Sequence, residues 1–443
     1  MPEILLTILP PWGRPTIPIG LGYLSQFLLE HNLPHSVDDL NMEIYHRVSS
    51  KQRALWKPER GAEWADPERF LELQEAMEPH IRWAVERLDK APAEVIGFSI
   101  NQSNNRLSVE VARRLRKRDP GRILIFGGQC VSLIGERFHI PDRLIDLFVL
   151  GEGEVTLLHI LELLREGKPI HDVPGTVSVP TDIEHIPRPM VQMDQLAWPT
   201  YDKFDLDRYP NNAEPFPISL GRGCICRCSF CGDYPLWGKY RSHLGTQVVD
   251  EIRHHVYSNG IMEFEFNDLA VNSNPVALNE ICEGIIEEGM IVQWSSYAYI
   301  EDLTPHQCAK LRAAGCVMLR FGMESGSDAV LQRMHKPHRT AQAAKMLANL
   351  TEAGINCNIG LMVGFPNETE EELDETIAFL VDNQDNIHEV DSVSVFYVKP
   401  MSGVEKHPDK FGISLPGDDA SRWNRWVGDD GSTYDKRVAR AHR

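Results

Sequence analysis

The chain has 443 residues, 42% of them hydrophobic and 25% charged, and its 45 basic and 64 acidic residues give a formal net charge of −19. This length predicts two or three globular domains, and the acidic balance disfavours nucleic acid as the main partner because phosphate-binding surfaces are usually basic. No run approaches the roughly 18 consecutive apolar residues of a membrane span, so we expect no membrane partner. The start, MPEILLTILPPWGRP, lacks the basic segment of a signal peptide, so the sequence predicts a cytoplasmic protein.

Residues 1–180 alternate between apolar strand-like segments and helical segments. Strands are predicted at 4–11, 36–40, 94–100, 122–128 and 146–151, with charge-rich and Trp-rich helices over 45–90. The alternation predicts an α/β domain with a doubly wound, Rossmann-like sheet, whose ligand lies beyond the carboxyl ends of the strands. Those ends carry Pro10, Pro11, Gln102, Ser103, Gly127, Gly128, Gln129, Gly151 and Glu152. There is no GxGxxG or Walker A motif, so a dinucleotide or ATP has no support.

Residues 181–212 are rich in Pro and Asp and are predicted to be a linker. From 213 to 403, strands and helices alternate again, and six strands with intervening helices predict a partial TIM-type (β/α)6 barrel. The last strand is predicted at 392–398. Residues 404–443 form a short C-terminal extension whose basic amphipathic end is expected to pack on the barrel as a final helix. His254 and His255, in a predicted helix, are expected to be solvated.

The nine cysteines fall into two groups. Cys130, Cys282, Cys308, Cys316 and Cys357 are scattered through apolar or helical segments and are expected to be buried packing residues. Cys224, Cys226, Cys228 and Cys231 lie within eight residues, in GRGCICRCSFC, which indicates a metal centre in a reducing compartment. A zinc site would need a second ligand pair, and the following stretch offers only His243. An iron–sulfur cluster with one open iron needs only three thiolates.

The spacing C-x3-C-x2-C of Cys224, Cys228 and Cys231, with the aromatic Phe230 before the last cysteine, resembles the signature of the radical S-adenosylmethionine (SAM) superfamily. In that family the three thiolates hold a 4Fe-4S cluster, and the fourth iron binds the amino and carboxylate groups of SAM. Cys226 is an additional thiol that is not counted as a ligand.

The predicted barrel strands end in further segments that resemble radical SAM enzymes. By that resemblance Asn267 and Asp268 lie near the methionine part of SAM, and Glu324 and Ser325 contact its ribose or amino acid part. The turn at Gly364, in VGFPNET, borders the adenine, and VLQRMHK at 330–336 matches the same pattern. Taken alone, the first segment also fits a helix cap at Ser327 and the second fits a turn before an amphipathic helix.

The amino-terminal half resembles the cobalamin-binding domain that precedes many radical SAM barrels. The features are PP followed by a GLGYL helix, an acidic pair before Asn41, the GG turn at 127–128 and GEGE at 151–154. The D-x-H-x-x-G motif, whose histidine ligates cobalt in corrinoid mutases, is absent. If cobalamin binds, the resemblance implies a lower face without a histidine ligand.

The resemblance spans roughly residues 3–430 and implies a cobalamin-dependent radical SAM methyltransferase that acts on an unactivated carbon. Its substrate is an unidentified small molecule or peptide, and it needs an external one-electron reductant such as flavodoxin or ferredoxin. One alternative is a cobalamin-associated radical SAM enzyme that catalyses a rearrangement or cyclisation without methyl transfer. Another is a non-catalytic iron–sulfur electron-transfer or binding protein.

Overall fold

The computed structural model describes residues 3–12, 16–57, 60–133, 137, 140–181, 184, 186–188, 190–209, 215–416 and 424–443. The chain divides into two compact units, Met1–Phe216 and Pro217–Arg443. Residues 13–15 of the loop after the first strand, parts of the predicted linker (182–183, 185, 189 and 210–212) and residues 417–423 of the C-terminal extension lie outside the described residues. The described parts of the linker segment belong to the first unit.

The first unit contains a six-stranded sheet. Its strands are β1 (Ile4–Ile8), β2 (His35–Asp39), β3 (Val95–Ser99), β4 (Ile123–Gly127), β5 (Leu147–Val149) and β6 (Thr176–Val177). They lie in the order β2-β1-β3-β4-β5-β6, parallel except for β6, which pairs antiparallel with β5. From β1 the chain adds β2 on one side and β3 to β6 on the other, so the order in which strands are added reverses between β1 and β3. Open α/β sheets bind ligands at such a point.

Helices cover both faces of this sheet. They are α1 (Ile19–Glu30), α2 (Leu40–Arg47), α3 (Ser50–Arg53), α4 (Gly61–Ala65), α5 (Pro67–Asp89), α6 (Asn105–Arg118) and α7 (Glu154–Arg165). Alternate residues of β1 enter two different cores: Leu5 packs with the cluster around Trp56 and Phe126, whereas Leu6 packs with the cluster around Leu21 and Leu157. A strand that is buried on both faces has a continuous run of apolar residues in its sequence. The strand order and the helices on both faces confirm the predicted doubly wound fold.

The second unit contains a second six-stranded sheet, in the order β14-β13-β12-β11-β10-β7. Its strands are β7 (Phe216–Ile218, at the boundary between the units), β10 (Glu263–Phe266), β11 (Gln293–Ala298), β12 (Cys316–Glu324), β13 (Asn356–Val363) and β14 (Glu389–Val395). The pairs from β10 to β14 are parallel. Two short antiparallel pairs are formed by β8 (Gly221–Arg222) with β9 (Arg241–Ser242) and by β15 (Ile413–Ser414) with β16 (Val427–Gly428).

The helices of this unit lie mostly between the parallel strands. They are α8 (Asp233–Trp237), α9 (Gly245–Asn259), α10 (Pro275–Glu287), α11 (Pro305–Ala313), α12 (Asp328–Arg333), α13 (Thr340–Glu352), α14 (Glu370–Asp382), α15 (Gly403–Lys406) and α16 (Tyr434–Ala441). Several begin with a side-chain cap, such as Thr304 before α11 and Thr369 before α14. The alternation of parallel strands and helices confirms the predicted partial (β/α)6 barrel.

Some local predictions need correction. The last strand ends at Val395, three residues before its predicted end. His255 is 3% exposed, so the prediction that both histidines of the pair are solvated is wrong for it; it lies on the buried face of α9 beside Ile252. The final helix, α16, packs against β13 and β14 as expected. Within the residues that the structure describes, no helix has the combined length and apolar character that a bilayer span requires.

Candidate functional site

The four clustered cysteines lie on an excursion of the chain that is closed at its base. β8 and β9 bring Gly221 opposite Ser242 and Arg222 opposite Arg241, so residues 223–240 form a loop between them. Glycine is needed at this base, because a Cβ on Gly221 would lie 2.6 Å from the carbonyl oxygen of Arg241. The short pair therefore fixes both ends of the cysteine loop.

All nine cysteines are free, and the four of the loop are partly exposed. The N–H of Cys226 donates to Sγ of Cys224 at 3.3 Å, and Sγ of Cys231 lies 3.1 Å from Oδ2 of Asp233. The Cys226 thiol lowers the pKa of Cys224 to about 6 by hydrogen bonding, whereas burial raises the pKa of Cys231 to about 12. Burial also raises the pKa of Cys228.

This donor set fits an iron–sulfur cluster better than a single metal ion. A zinc ion draws its ligands to about 2.0–2.3 Å from one point. In the described part of the chain, no three His, Cys, Asp or Glu side chains form such a group. Three thiols within eight consecutive residues of the cysteine loop instead suit a cluster, in which each thiolate binds a different iron.

Buried contacts hold the cysteine loop from two other elements. The N–H of Ser229 donates to the carbonyl of Met334 at 2.9 Å. The carboxylate of Asp268 accepts from the N–H of Leu220 at 2.8 Å and from that of Gly221 at 2.6 Å. Burial raises the pKa of Asp268 to about 7 despite these donors. The contact of Asp268 with SAM stays a prediction. In the structure its carboxylate anchors the turn before the cysteines.

Asn267 and Ser325, two of the predicted SAM contacts, differ in exposure. Asn267 follows β10 and is exposed. Ser325 is fully buried, and its hydroxyl is 3.1 Å from Oγ1 of Thr376 and accepts from the N–H of Ser327 at 3.1 Å. The Ser325 hydroxyl thus fixes the turn before α12, and its contact with SAM stays a prediction.

Glu324 ends β12 in the left-handed region, with φ of 65°. Its Oε1 lies 3.3 Å from Nζ of Lys336, and a Cβ on Gly322 would lie 2.4 Å from the same oxygen, so the glycine makes room for this carboxylate. Nζ of Lys336 lies 5.9 Å from the ring centroid of Phe230, which places the ion pair beside the cysteine loop. Burial opposes the charge of Lys336, but Glu324 and Cys228 together hold its pKa above the ordinary value.

The turn at Gly364 is also fixed by neighbouring side chains. Gly364 has φ of 80° and donates its N–H to Oε2 of Glu368 at 2.7 Å. A Cβ on Gly364 would lie 2.6 Å from Cγ of Arg437, a residue of α16. The predicted adenine-bordering turn is therefore packed against the C-terminal helix.

The predicted cobalamin-binding residues lie at the carboxyl edge of the first sheet. Asn104 joins two strand ends there, because its Nδ2 donates to the carbonyls of Leu9 and Ser99 at 3.1 and 3.0 Å. Gly128 has φ of 106° and lies so close to β3 that a Cβ would be 2.6 Å from the carbonyl oxygen of Ile100. Glu152 accepts from the N–H of Val191 at 2.9 Å.

This edge fits a large ligand with many polar side groups. Gln102 and Gln129 are exposed, Ser103 is half-buried, and Pro10 and Pro11 are buried behind them. The Cα of Gly151 faces open space, and Gly127 adds no side chain. Exposed amide side chains beside bare backbone can hydrogen-bond and approach such a ligand closely.

Sequence reasoning gave Lys336 no role, although it lies inside the quoted segment VLQRMHK. The available signal was a lysine inside a segment that resembles radical SAM enzymes. The anchoring roles of Asp268 and Thr376 were also missed, because they depend on which backbone groups lie near.

Comparison with known proteins finds a family profile and relatives that resemble parts of this chain. The sequence profile of the Radical SAM superfamily matches residues 218–380. An uncharacterized methyltransferase of Pyrococcus horikoshii is 26% identical over 297 residues, which is 66% of this chain and 65% of that protein. The anaerobic magnesium-protoporphyrin IX monomethyl ester cyclase of Synechocystis is 25% identical over 59% of this chain and 54% of its own. The chain thus spans between about half and two thirds of the length of these relatives.

Among solved structures, the radical S-adenosylmethionine methyltransferase TsrM from Kitasatospora setae superposes with a TM-score of 0.72 at 14% identity. The match covers 98% of this chain and 84% of TsrM, which was solved there with tryptophan substrate and a SAM analog. A second structure of TsrM contains cobalamin and a [4Fe-4S] cluster. At this identity the likeness establishes a shared fold over both units.

Proposed function

We propose that this chain, a member of the radical SAM superfamily through residues 218–380, is a cobalamin-dependent radical SAM methyltransferase that acts on an unactivated carbon. The observation that carries the proposal is the cysteine loop with the Glu324–Lys336 pair beside it, at the carboxyl end of β12. Active groups of TIM-type barrels lie at that end of the strands. The methyltransferase relative and the fold shared with TsrM support the same assignment.

In this proposal Cys224, Cys228 and Cys231 hold a 4Fe-4S cluster, and Asn267, Glu324, Ser325 and the turn at Gly364 surround SAM. When bound, the cluster supplies the electron that cleaves SAM to methionine and a 5′-deoxyadenosyl radical, and cobalamin supplies the methyl-transfer chemistry. Lys336 places a positive charge beside a centre made negative by three thiolates, which stabilises it where little water remains. Asp268 and Ser229 keep the loop in position through the backbone.

Cobalamin is proposed to bind at the carboxyl edge of the first sheet, beside the neighbouring strands β1 and β3, where the strand order reverses. Pro10, Pro11, Gln102, Ser103, Gly127, Gly128, Gln129, Gly151 and Glu152 supply the proposed contacts. The proposed lower face has no histidine ligand, in line with the resemblance to radical SAM proteins that lack the D-x-H-x-x-G motif.

The test uses the full chain, reconstituted anaerobically with iron and sulfide and supplied with SAM, dithionite and hydroxocobalamin. We expect 5′-deoxyadenosine together with S-adenosylhomocysteine, because transfer of the SAM methyl group leaves the latter behind. Absence of 5′-deoxyadenosine from a cluster-loaded protein contradicts the enzyme proposal and favours an electron-transfer or binding protein. Failure to retain any corrinoid after gel filtration contradicts the cobalamin assignment.

A second candidate is a radical SAM reaction without methyl transfer, such as a cyclisation. The similarity to the magnesium-protoporphyrin IX monomethyl ester cyclase favours it. The same assay separates the two candidates, because this reaction yields 5′-deoxyadenosine without S-adenosylhomocysteine.

The electron is proposed to come from an acidic one-electron carrier, such as a flavodoxin or ferredoxin, in the cytoplasm. Residues 217–246 contain four basic residues and one acidic residue in a chain whose net charge is −19. The basic residues are Arg222, Arg227, Lys239 and Arg241, and Arg227 and Lys239 are exposed. Nine free cysteines agree with a reducing compartment. The substrate is proposed to be a small molecule or a peptide.

A further inference from the structure

The cysteine loop rests on an apolar cluster that includes residues from outside the matched family region. Cys228 and Cys231 are partly buried against this cluster. Three of its members, Val404, Ile413 and Trp426, come from the C-terminal extension and are 0%, 4% and 0% exposed. We call these three residues the back wall. The remaining buried members are Phe230, Val330, Met334, Phe365, Phe396 and Val398.

The extension also contacts the backbone of the cysteine loop directly. The N–H of Val404 donates to the carbonyl of Ser229 at 3.0 Å, and Ser229 lies between Cys228 and Cys231. A Cβ on Gly232, the residue after Cys231, would lie 2.6 Å from the carbonyl oxygen of Pro400. The segment that leads into the extension therefore packs against the loop with no space for a side chain between them.

The C-terminal helix holds Trp426 in place. The guanidinium of Arg437 lies 3.6 Å from the centroid of the Trp426 ring and donates to the Trp426 carbonyl at 3.2 Å. On another side, the ring of Trp426 packs 5.6 Å from that of Phe396. Arg440 donates to the carbonyls of Glu368 and Thr369 at 2.9 and 2.7 Å, which ties α16 to the turn after β13.

We propose that the back wall excludes water from the Cys228 and Cys231 side of the metal centre and thereby lowers its reduction potential. The inference rests on the proposed function, since it assumes that these thiolates hold a cluster. Adding an electron makes a thiolate-bound cluster more negative, and water stabilises the more highly charged state. An apolar shell that removes water therefore favours the oxidised cluster. Val404, Ile413 and Trp426 act on the centre through the thiolates and are positioning residues.

The experiment compares Val404→Ala and Trp426→Ala with Leu350→Ala, a fully buried residue of α13 outside this cluster. In the metal-free, reduced full chain, iodoacetamide labelling followed by mass spectrometry should show several-fold faster alkylation of Cys228 and Cys231 in the wall variants. Labelling of Cys224 serves as the internal reference. In the reconstituted proteins, a redox titration followed by EPR should show a more positive midpoint potential in the wall variants.

Leu350→Ala should lower the melting temperature without either effect. Unchanged alkylation and an unchanged potential in Val404→Ala, which removes only two methyl groups, would overturn the proposal even if Trp426→Ala fails to fold. If the wild-type chain binds no cluster, the proposed function fails, and the alkylation rates still decide whether the back wall shields the thiols.

Discussion

At the scale of single residues, Cys226 differs from the other three thiols of its loop. Its N–H donates to Sγ of Cys224, so its backbone contacts the sulfur of a neighbouring proposed ligand. Hydrogen bonds to ligand sulfurs are among the groups that tune iron–sulfur centres. The substitution Cys226→Ala removes the thiol and leaves that N–H in place. It therefore separates a role of the Cys226 thiol from a role of the Cys226 backbone.

Replacing the cysteines one at a time should separate ligands from the extra thiol. Cys224→Ala, Cys228→Ala and Cys231→Ala should each lose the cluster, because each removes one of three thiolates. Cys226→Ala should keep it. Iron and sulfide content with visible absorption after anaerobic reconstitution measures the outcome, and circular dichroism controls for folding. A cluster that survives Cys228→Ala but not Cys226→Ala would reassign the ligand set.

Two glycines at the edge of the first sheet should respond differently to the same change. Gly128→Ala places a Cβ 2.6 Å from a backbone carbonyl at φ of 106°, so we expect a loss of about 2–4 kcal/mol of stability. Gly151→Ala meets only the cost of its positive φ of 71°, about 1–2 kcal/mol, because nothing lies within 4 Å. Denaturant unfolding of both variants measures the difference, and equal losses would contradict the close approach.

At the scale of elements, buried strands could be predicted from the sequence more accurately than exposed ones. Strands such as β1 and β3, buried on both faces, are visible in the sequence as apolar runs. β14 was placed three residues too late because six of its seven residues are exposed. The apolar residues that drew the prediction forward, Phe396 and Val398, follow the strand and belong to the cluster behind the cysteine loop.

Asp268 and Ser325 illustrate what the sequence could not supply at the site. Their positions after barrel strands are correct, since Asp268 follows β10 and Ser325 follows β12. A motif does not show whether a side chain turns toward a ligand or back onto the chain. In the structure Asp268 contacts Leu220 and Gly221, and Ser325 contacts Thr376 and Ser327, while their contacts with SAM stay predictions.

A partly buried hydrogen bond joins the end of β2 to the segment that was predicted as a linker, and it should make the stability of the protein depend on pH. The hydroxyl of Tyr209 donates to Oδ2 of Asp39 at 2.5 Å. Burial raises the pKa of Asp39 from 3.8 to about 6, while the Tyr209 hydroxyl acts to lower it. Because the folded pKa lies above the unfolded one, the favourable contribution of the protonated form is lost as pH rises from about 4 to 6.

Tyr209→Phe removes a hydrogen-bond donor to that carboxylate, so the pKa of Asp39 in the folded protein should rise further. The loss of stability with rising pH should then extend to higher pH. We expect a destabilisation of about 1.5–3 kcal/mol at pH 8, where Asp39 is charged, and about 1 kcal/mol at pH 5. Urea unfolding at both pH values measures it. Tyr257→Phe, at a ring that is 69% exposed, is the control, and equal losses at the two pH values would contradict the mechanism.

At the scale of the whole molecule, charge is unevenly distributed. An acidic chain repels an acidic partner at a distance, whereas a local basic surface attracts it and sets its orientation. The basic residues of 217–246 lie between and on both sides of the four cysteines in the sequence, where we propose that the electron enters. Arg222 and Arg241 lie directly opposite each other across β8 and β9, which places two of these basic residues at the base of the cysteine loop.

Lys239→Glu should weaken the binding of a protein reductant without altering the rate of SAM cleavage itself. With a flavodoxin as donor, we expect a several-fold higher KM and a weaker dependence of the rate on salt, because one attractive charge becomes repulsive. With dithionite the rate should match the wild type. Lys345→Glu, on the surface of α13, is the matched control. An unchanged KM for flavodoxin would place the donor elsewhere.

Three charged residues of the second sheet show what the sequence alone could not bring together. Arg320 of β12 pairs with Glu265 of β10 at 2.9 Å and lies 3.8 Å from Asp391 of β14. These residues come from three strands, and only the barrel brings them together. The cysteine spacing, by contrast, is local and survives as a motif.

The closed base of the cysteine loop has a consequence for the protein when it is exposed to oxygen. The β8–β9 pair, the Asp268 carboxylate and the backbone bonds of Ser229 fix the loop through groups that are not thiols. If the chain holds the proposed cluster, we expect the loop to stay folded around the three cysteines after oxygen removes it. We therefore expect that a new cluster can be inserted into the same polypeptide.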